Sequence, residues 1–200
     1  MNTNVFSFKN VQIAILKVDE WEKNFSQQNF AEKKISSKRI IEKEGVQFLL
    51  SQFLPNQKLS YNSNGKPQLD NGTFISISHS KSLVGIAWNL THTIGLDIEE
   101  IHERILKVEN RFIHPEEHIY SQSISDKIRI WCIKEALIKI YDNKTFNLRT
   151  DLRVRKIEND KWIGFVSKFP SQLIEFITFE YCNNVICINT GGEKQHSKTS

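Results

Sequence analysis

The sequence predicts an α+β fold, with helices and strands in largely separate runs. Three observations carry this. Apolar stretches rich in β-branched residues, such as 11–18 and 83–88, read as strands. Two long segments, 36–54 and 125–141, repeat apolar residues at the three-to-four spacing of a buried helical stripe. After residue 150, short apolar runs return and read as a second sheet.

Taken in order, 11–18 is the first expected strand. Asp19 and Glu20 then open a short helical stretch carrying Trp21, Phe25 and Phe30. Ser36 and Ser37 cap a longer helix, with Ile40, Ile41, Val46, Phe48, Leu49 and Phe53 on its apolar side. Pro55 ends it. A strand at 59–61 leads into the turn Asn62-Ser63-Asn64-Gly65, and Pro67 stiffens the backbone that carries Lys66. Asn71-Gly72 turns the chain into 74–78, where apolar and hydroxyl residues alternate as in a half-exposed strand. With 83–88 and 94–99 this predicts an antiparallel meander with its polar residues at strand ends. Residues 103–112 predict a helix, and His114-Pro115-Glu116-Glu117 starts another. Ser125-Asp126 reads as the N-cap of the central helix. Strands are expected at 152–154, 162–166, 173–181 and 185–188, and a disordered tail at 191–200.

Length and composition narrow the classes. The chain has 200 residues, enough for one large domain or two small ones sharing an interface. A hydrophobic fraction of 39%, with 13 Phe and 4 Trp, can fill a core and excludes a fully disordered chain. A net charge of +4 favours an anionic ligand or an acidic partner. It is too weak and too evenly spread to argue for nucleic acid. Cys132, Cys182 and Cys187 sit in apolar runs without metal spacing, so they read as reduced, buried core residues of a cytosolic protein. The first residues lack a charged-then-apolar leader pattern, and no apolar run reaches the ~18 residues of a membrane span. The expectation is a cytoplasmic protein without a membrane partner.

The chemistry centres on the helix from Trp131 to Tyr141. Trp131, Glu135 and Lys139 are four residues apart and stack along one edge. Glu135 and Lys139 alone read as a surface pair worth about 0.2–0.5 kcal/mol. A second stretch changes that reading. Gly95-Leu96-Asp97-Ile98-Glu99-Glu100 looks like a strand that puts Asp97 and Glu99 on one face and Glu100 on the other. Two strand carboxylates and one helix carboxylate make a plausible Mg²⁺ cup, with Lys134 and Lys139 at hand for phosphate. Two features stay open on local sequence. His79, among Ser78, Ser80, Lys81 and Ser82, reads equally as a loop residue or as part of an anion pocket. Lys38, Arg39 and Lys43 read as a solvated basic face or as cations receiving a phosphate at a helix start.

Three pieces, Ile75-Ser76-Ile77-Ser78-His79-Ser80, Gly95-Leu96-Asp97-Ile98-Glu99, and the helix from Trp131 through Lys134, Glu135 and Lys139, resemble the 4′-phosphopantetheinyl transferase superfamily. The match is to its monomeric, surfactin-synthetase-activating type. That pattern is G-x-D followed downstream by W-x-x-K-E-x-x-x-K, and here the two acidic anchors stand 38 residues apart. The Gly65-Lys66-Pro67 turn and the basic helix at Arg39 also fall where the family has them.

The resemblance implies two similar α+β halves about a pseudo-two-fold axis, 1–92 and 93–190, with the cofactor in the cleft between them. It implies transfer of the phosphopantetheine arm of coenzyme A to a serine of an apo acyl carrier protein or a peptidyl or polyketide carrier domain. The transfer is Mg²⁺-dependent and releases 3′,5′-ADP. It assigns Asp97, Glu99 and Glu135 to the metal, and Glu135 and Lys139 to catalysis. It assigns Arg39, Lys66, Pro67, Ser78, His79, Lys134 and Lys139 to the cofactor, with Arg39 and His79 at its 3′-phosphate. It also implies a monomer. Two other classes compete: a Mg²⁺-dependent nuclease, since Asp, Glu and Lys also build phosphodiester-cleaving sites, and a non-catalytic module that holds coenzyme A or a carrier domain.

Overall fold

The computed structural model describes residues 3–19 and 38–191, except the side chains of 38–41. The stretch with Trp21, Phe25 and Phe30, the Ser36-Ser37 cap, the Arg39 side chain and residues 192–200 lie outside the described residues.

Within them the fold is α+β. In chain order the elements are β1 (Thr3–Phe8), β2 (Val11–Lys17), α1 (Lys38–Phe53), β3 (Leu59–Tyr61), β4 (Pro67–Leu69), β5 (Phe74–His79), β6 (Leu83–Asn89) and β7 (Leu96–Glu100). Three 3₁₀ segments follow, then α2 (Ile124–Tyr141), β8 (Leu152–Lys156), β9 (Lys161–Val166), β10 (Ile174–Tyr181) and β11 (Asn184–Gly191). One sheet has the order β1-β2-β6-β5 and the other β7-β11-β10-β9-β8, while β3 and β4 form a separate hairpin. All strand pairings are antiparallel.

The two sheets face each other, and each carries a helix on its outer face. Strand parity shows this. On β2, Ala14 and Leu16 pack with Val46, Leu49 and Leu50 of α1. Val11, Ile13 and Ile15 pack with Leu96, Ile98, Ile186 and Ile188 of the second sheet. On the far side, Val185 and Cys187 join Ile130, Ile133 and Leu137 of α2. Burial on both faces is why β2 reads as a nearly unbroken apolar run.

Several expectations change. The meander stops at β6, because β7 leaves the first sheet and pairs with β11. Strand β5 is covered on both faces: Ile75 and Ile77 meet the α1 layer, and Ser76 and Ser78 are buried toward β7. The helices expected from Glu103 to Tyr120 are short 3₁₀ segments. The α2 cap lies two residues earlier than expected. The Ser123 hydroxyl accepts from the Asp126 amide, and the Asp126 carboxylate accepts from the Ser123 amide. Cys132 and Cys187 are buried, but Cys182 is exposed in the left-handed turn between β10 and β11, at φ 49°. Strand β1 was not expected. Its Phe6 and Phe8 reach the inter-sheet core beside Phe179. No helix among the described residues is long and apolar enough to cross a membrane.

Candidate active site

The site lies where β5, at the edge of one sheet, meets β7, at the edge of the other. A β7 edge buried without partners would strand its amides. Serine hydroxyls accept them instead: Leu96 N–H donates to Ser76 Oγ at 2.9 Å and Ile98 N–H to Ser78 Oγ at 3.1 Å. The alternating hydroxyls of 74–78 thus stitch the sheets together. They also fix Asp97, since the Ser78 hydroxyl donates to Asp97 Oδ1 at 3.1 Å.

Helix α2 crosses β7 at Gly95. A Cβ there would stand 2.3 Å from the Ala136 carbonyl oxygen. Only glycine allows this approach, which brings the Trp131–Glu135–Lys139 edge onto the β7 carboxylates. Lys139 Nζ donates to Asp97 Oδ1 at 2.9 Å and to Leu96 O at 2.7 Å, with Ser78 Oγ at 3.2 Å. Trp131 Nε1 donates to Glu99 Oε1 at 3.2 Å.

The three carboxylates feel one another. Burial, then the Asp97 charge, push Glu99 up to about 7, against the lowering effect of the Trp131 N–H bond. Burial and Asp97 also raise Glu135, against Lys139. Asp97 Oδ2 is buried with no hydrogen-bond partner.

The other candidates sort by geometry. Lys66 and Pro67 line a cavity of about 180 Å³, shared with Ser76, Lys139, Asp142 and Lys144. Lys66 Nζ donates to Ile140 O at 3.0 Å. Strand parity sends His79 to the opposite face from Ser78, where its Nδ1 lies 3.1 Å from Glu42 Oε1 of α1. The structure does not bring Lys134 to the site. Its ammonium is fully buried and donates to Phe112 O and Glu117 Oε2, each at 2.7 Å. The expectation of a phosphate contact at Lys134 has no support in that placement.

Residues 93–184 match the family model of the 4′-phosphopantetheinyl transferase superfamily. They contain Gly95, Asp97, Glu99, Glu117, Trp131, Glu135 and Lys139. The match spans a little under half of the chain. The chain is also similar to the 4′-phosphopantetheinyl transferase gsp of Aneurinibacillus migulanus, at 36% identity over 94 residues. The aligned stretch covers 43% of this chain and 39% of that protein, so the chain spans well under two thirds of the relative's length.

The donor types, three carboxylates, are those a hard divalent cation takes. Among the described residues no three His, Cys, Asp or Glu side chains stand as a preassembled cage. Yet Asp97 Oδ2 is an orphaned, buried acceptor, and Glu99 and Glu135 are both raised by burial and by Asp97. A hard cation would relieve that crowding of oxygens.

The crowding has a sign. A carboxylate raised on folding holds its proton more tightly in the folded state. Stability is therefore greatest below the ordinary carboxylate range and falls as pH rises through about 7. The melting temperature of metal-free wild type should drop from about pH 5 to about pH 8 more steeply than that of Glu99→Gln. Equal slopes in wild type and variant, measured by calorimetry, would remove Glu99 as the cause.

Sequence reasoning missed the hydroxyl role of Ser76 and the contact of the Asn62–Gly65 turn with Asp142. The first is visible only once β5 and β7 are known to abut. The second joins residues 80 apart in sequence, with no local signal.

Proposed function

We propose that the chain transfers the phosphopantetheine arm of coenzyme A to a serine of an acyl, peptidyl or polyketide carrier protein, releasing 3′,5′-ADP. The observation that carries this reading is the Asp97–Lys139 pair, with Glu99 and Glu135 beside it, inside the segment that matches the superfamily, held by the Ser78 hydroxyl from the preceding part of the chain. The relative from Aneurinibacillus bears the same activity in its name.

Asp97, Glu99 and Glu135 would hold a Mg²⁺ ion, which when bound neutralises charge on the diphosphate. Glu135, raised in pKa, suits the base that takes the proton of the carrier serine. The serine oxygen then bonds to the β-phosphorus, the diphosphate bond breaks, and 3′,5′-ADP leaves. Lys139 is 30% exposed in its side chain and held beside Asp97, so a positive charge faces the phosphates as they separate. The cavity of about 180 Å³ with Lys66, Lys139 and Lys144 suits an anionic ligand lying across the seam. Arg39 and His79 are the further groups proposed for the 3′-phosphate. We place the cofactor between two halves related by a pseudo-two-fold axis, each a sheet with an outer helix, acting as a cytoplasmic monomer.

The test is direct. The protein, coenzyme A, Mg²⁺ and a panel of apo carrier proteins are mixed, and the added arm is read by mass. Asp97→Asn and Glu135→Gln should each lower transfer by about 10²-fold or more while keeping the fold. A wild-type protein that modifies no carrier but cleaves nucleic acid would establish the nuclease instead.

A further inference from the structure

One cluster outside the acidic site joins the two walls of the cavity. On one wall is the turn between β3 and β4, where Gly65 takes a left-handed φ of 82°. On the other is the C-terminus of α2, capped by Asp142 at φ 52°. Asn62 Nδ2 donates to Asp142 Oδ2 at 2.7 Å, and Asn64 Nδ2 donates to the same oxygen at 3.2 Å. Asn64 Nδ2 also reaches Asp142 O at 3.3 Å, and Lys66 Nζ reaches Ile140 O at 3.0 Å. In return, Lys144 Nζ donates to Asn64 O. Within the turn, Asn62 Oδ1 accepts from the Asn64 and Lys66 amides. The side chain that grips Asp142 therefore also sets the backbone that carries Lys66.

We infer that Asp142 is a positioning residue: through Asn62 and Asn64 it clasps the β3–β4 turn to the end of α2 and fixes Lys66 opposite Lys139 before the anionic ligand arrives. The inference rests on the proposal that coenzyme A is the ligand. Its physical basis is preorganisation. A wall held in place beforehand spares the ligand the cost of ordering it. The Asn62 bond, with help from Asn64 and the two lysines, holds the Asp142 carboxyl below its usual range, so the acceptor is ionised at neutral pH.

Two substitutions separate the clasp from the helix cap. Asp142→Gly removes the carboxylate but suits the left-handed cap without strain. Asp142→Asn tolerates the same backbone and keeps an oxygen that accepts from both amides. The expected result for Asp142→Gly is a KM for coenzyme A raised about tenfold with kcat within about twofold, and a matching loss in direct titration of coenzyme A without carrier. Asp142→Asn should restore KM to within about twofold of wild type. A glycine variant with wild-type KM overturns the clasp and leaves the transferase reading standing. An asparagine variant as impaired as the glycine variant also overturns it, because charge and not the clasp would then be the cause. A wild-type chain that binds no coenzyme A overturns both.

Discussion

Gly95→Ala is expected to give the largest loss of transfer of any single methyl added to this protein. The new Cβ would lie 2.3 Å from the Ala136 carbonyl oxygen, 3.0 Å from its carbon and 3.0 Å from Ile140 Cγ1. Two of those three atoms are helix backbone, so no rotamer change relieves the contact. Nor can the strand retreat, because the Gly95 amide is held by Asn189 Oδ1 at 2.8 Å, and Asn189 Nδ2 in turn holds Thr93 O. Helix α2 must therefore lift off β7. Such overpacking costs about 1–3 kcal/mol in stability. A displacement of about 1 Å between catalytic groups costs about 10²-fold in rate. Lys139 and Asp97 sit on the two elements being forced apart. The measurement is turnover alongside melting temperature. Near-normal turnover in a folded Gly95→Ala protein would mean that the helix does not rest on the strand here.

The largest loss of stability is expected at Glu117 and Lys134. Their ion pair is 2.7 Å long, with side chains 1% and 0% exposed. Glu117 also accepts from the Val154 amide at 2.9 Å and the His114 amide at 2.8 Å. One carboxylate thus ties a 3₁₀ segment, α2 and β8 together. Burial pulls Lys134 down to about 8 even with Glu117 drawing it up, which shows how costly an unpaired ammonium would be at this depth. Removing either partner should cost about 3–5 kcal/mol. Glu117→Gln with Lys134→Met should recover part of that loss, since neither buried charge remains. Chemical denaturation of the three variants checks this. A cost below about 1 kcal/mol for Lys134→Met would show that the pair is not desolvated.

Lys134 also shows what could and could not be read beforehand. Successive helical residues turn by about 100°, so Lys134 could not share the edge of Trp131, Glu135 and Lys139. That spacing was in the sequence, and it already sets Lys134 apart from Lys139 as a phosphate contact. Strand parity worked for Asp97 and Glu99, and it would have separated Ser78 from His79 in the same way. The break after β6 was not legible, because side-chain alternation gives the faces of a strand and not its neighbours. The 3₁₀ segments escaped for a related reason: capping residues such as His102 and His114 mark where a turn begins, but not how tightly it winds.

The seam between β5 and β7 has a mechanical consequence. Its backbone amides are accepted by serine hydroxyls and not by a facing backbone, and the Ser78 hydroxyl also donates to Asp97 Oδ1. Shear between the layers would therefore load these side chains before either ladder, and the Ser78 link would pass it to Asp97.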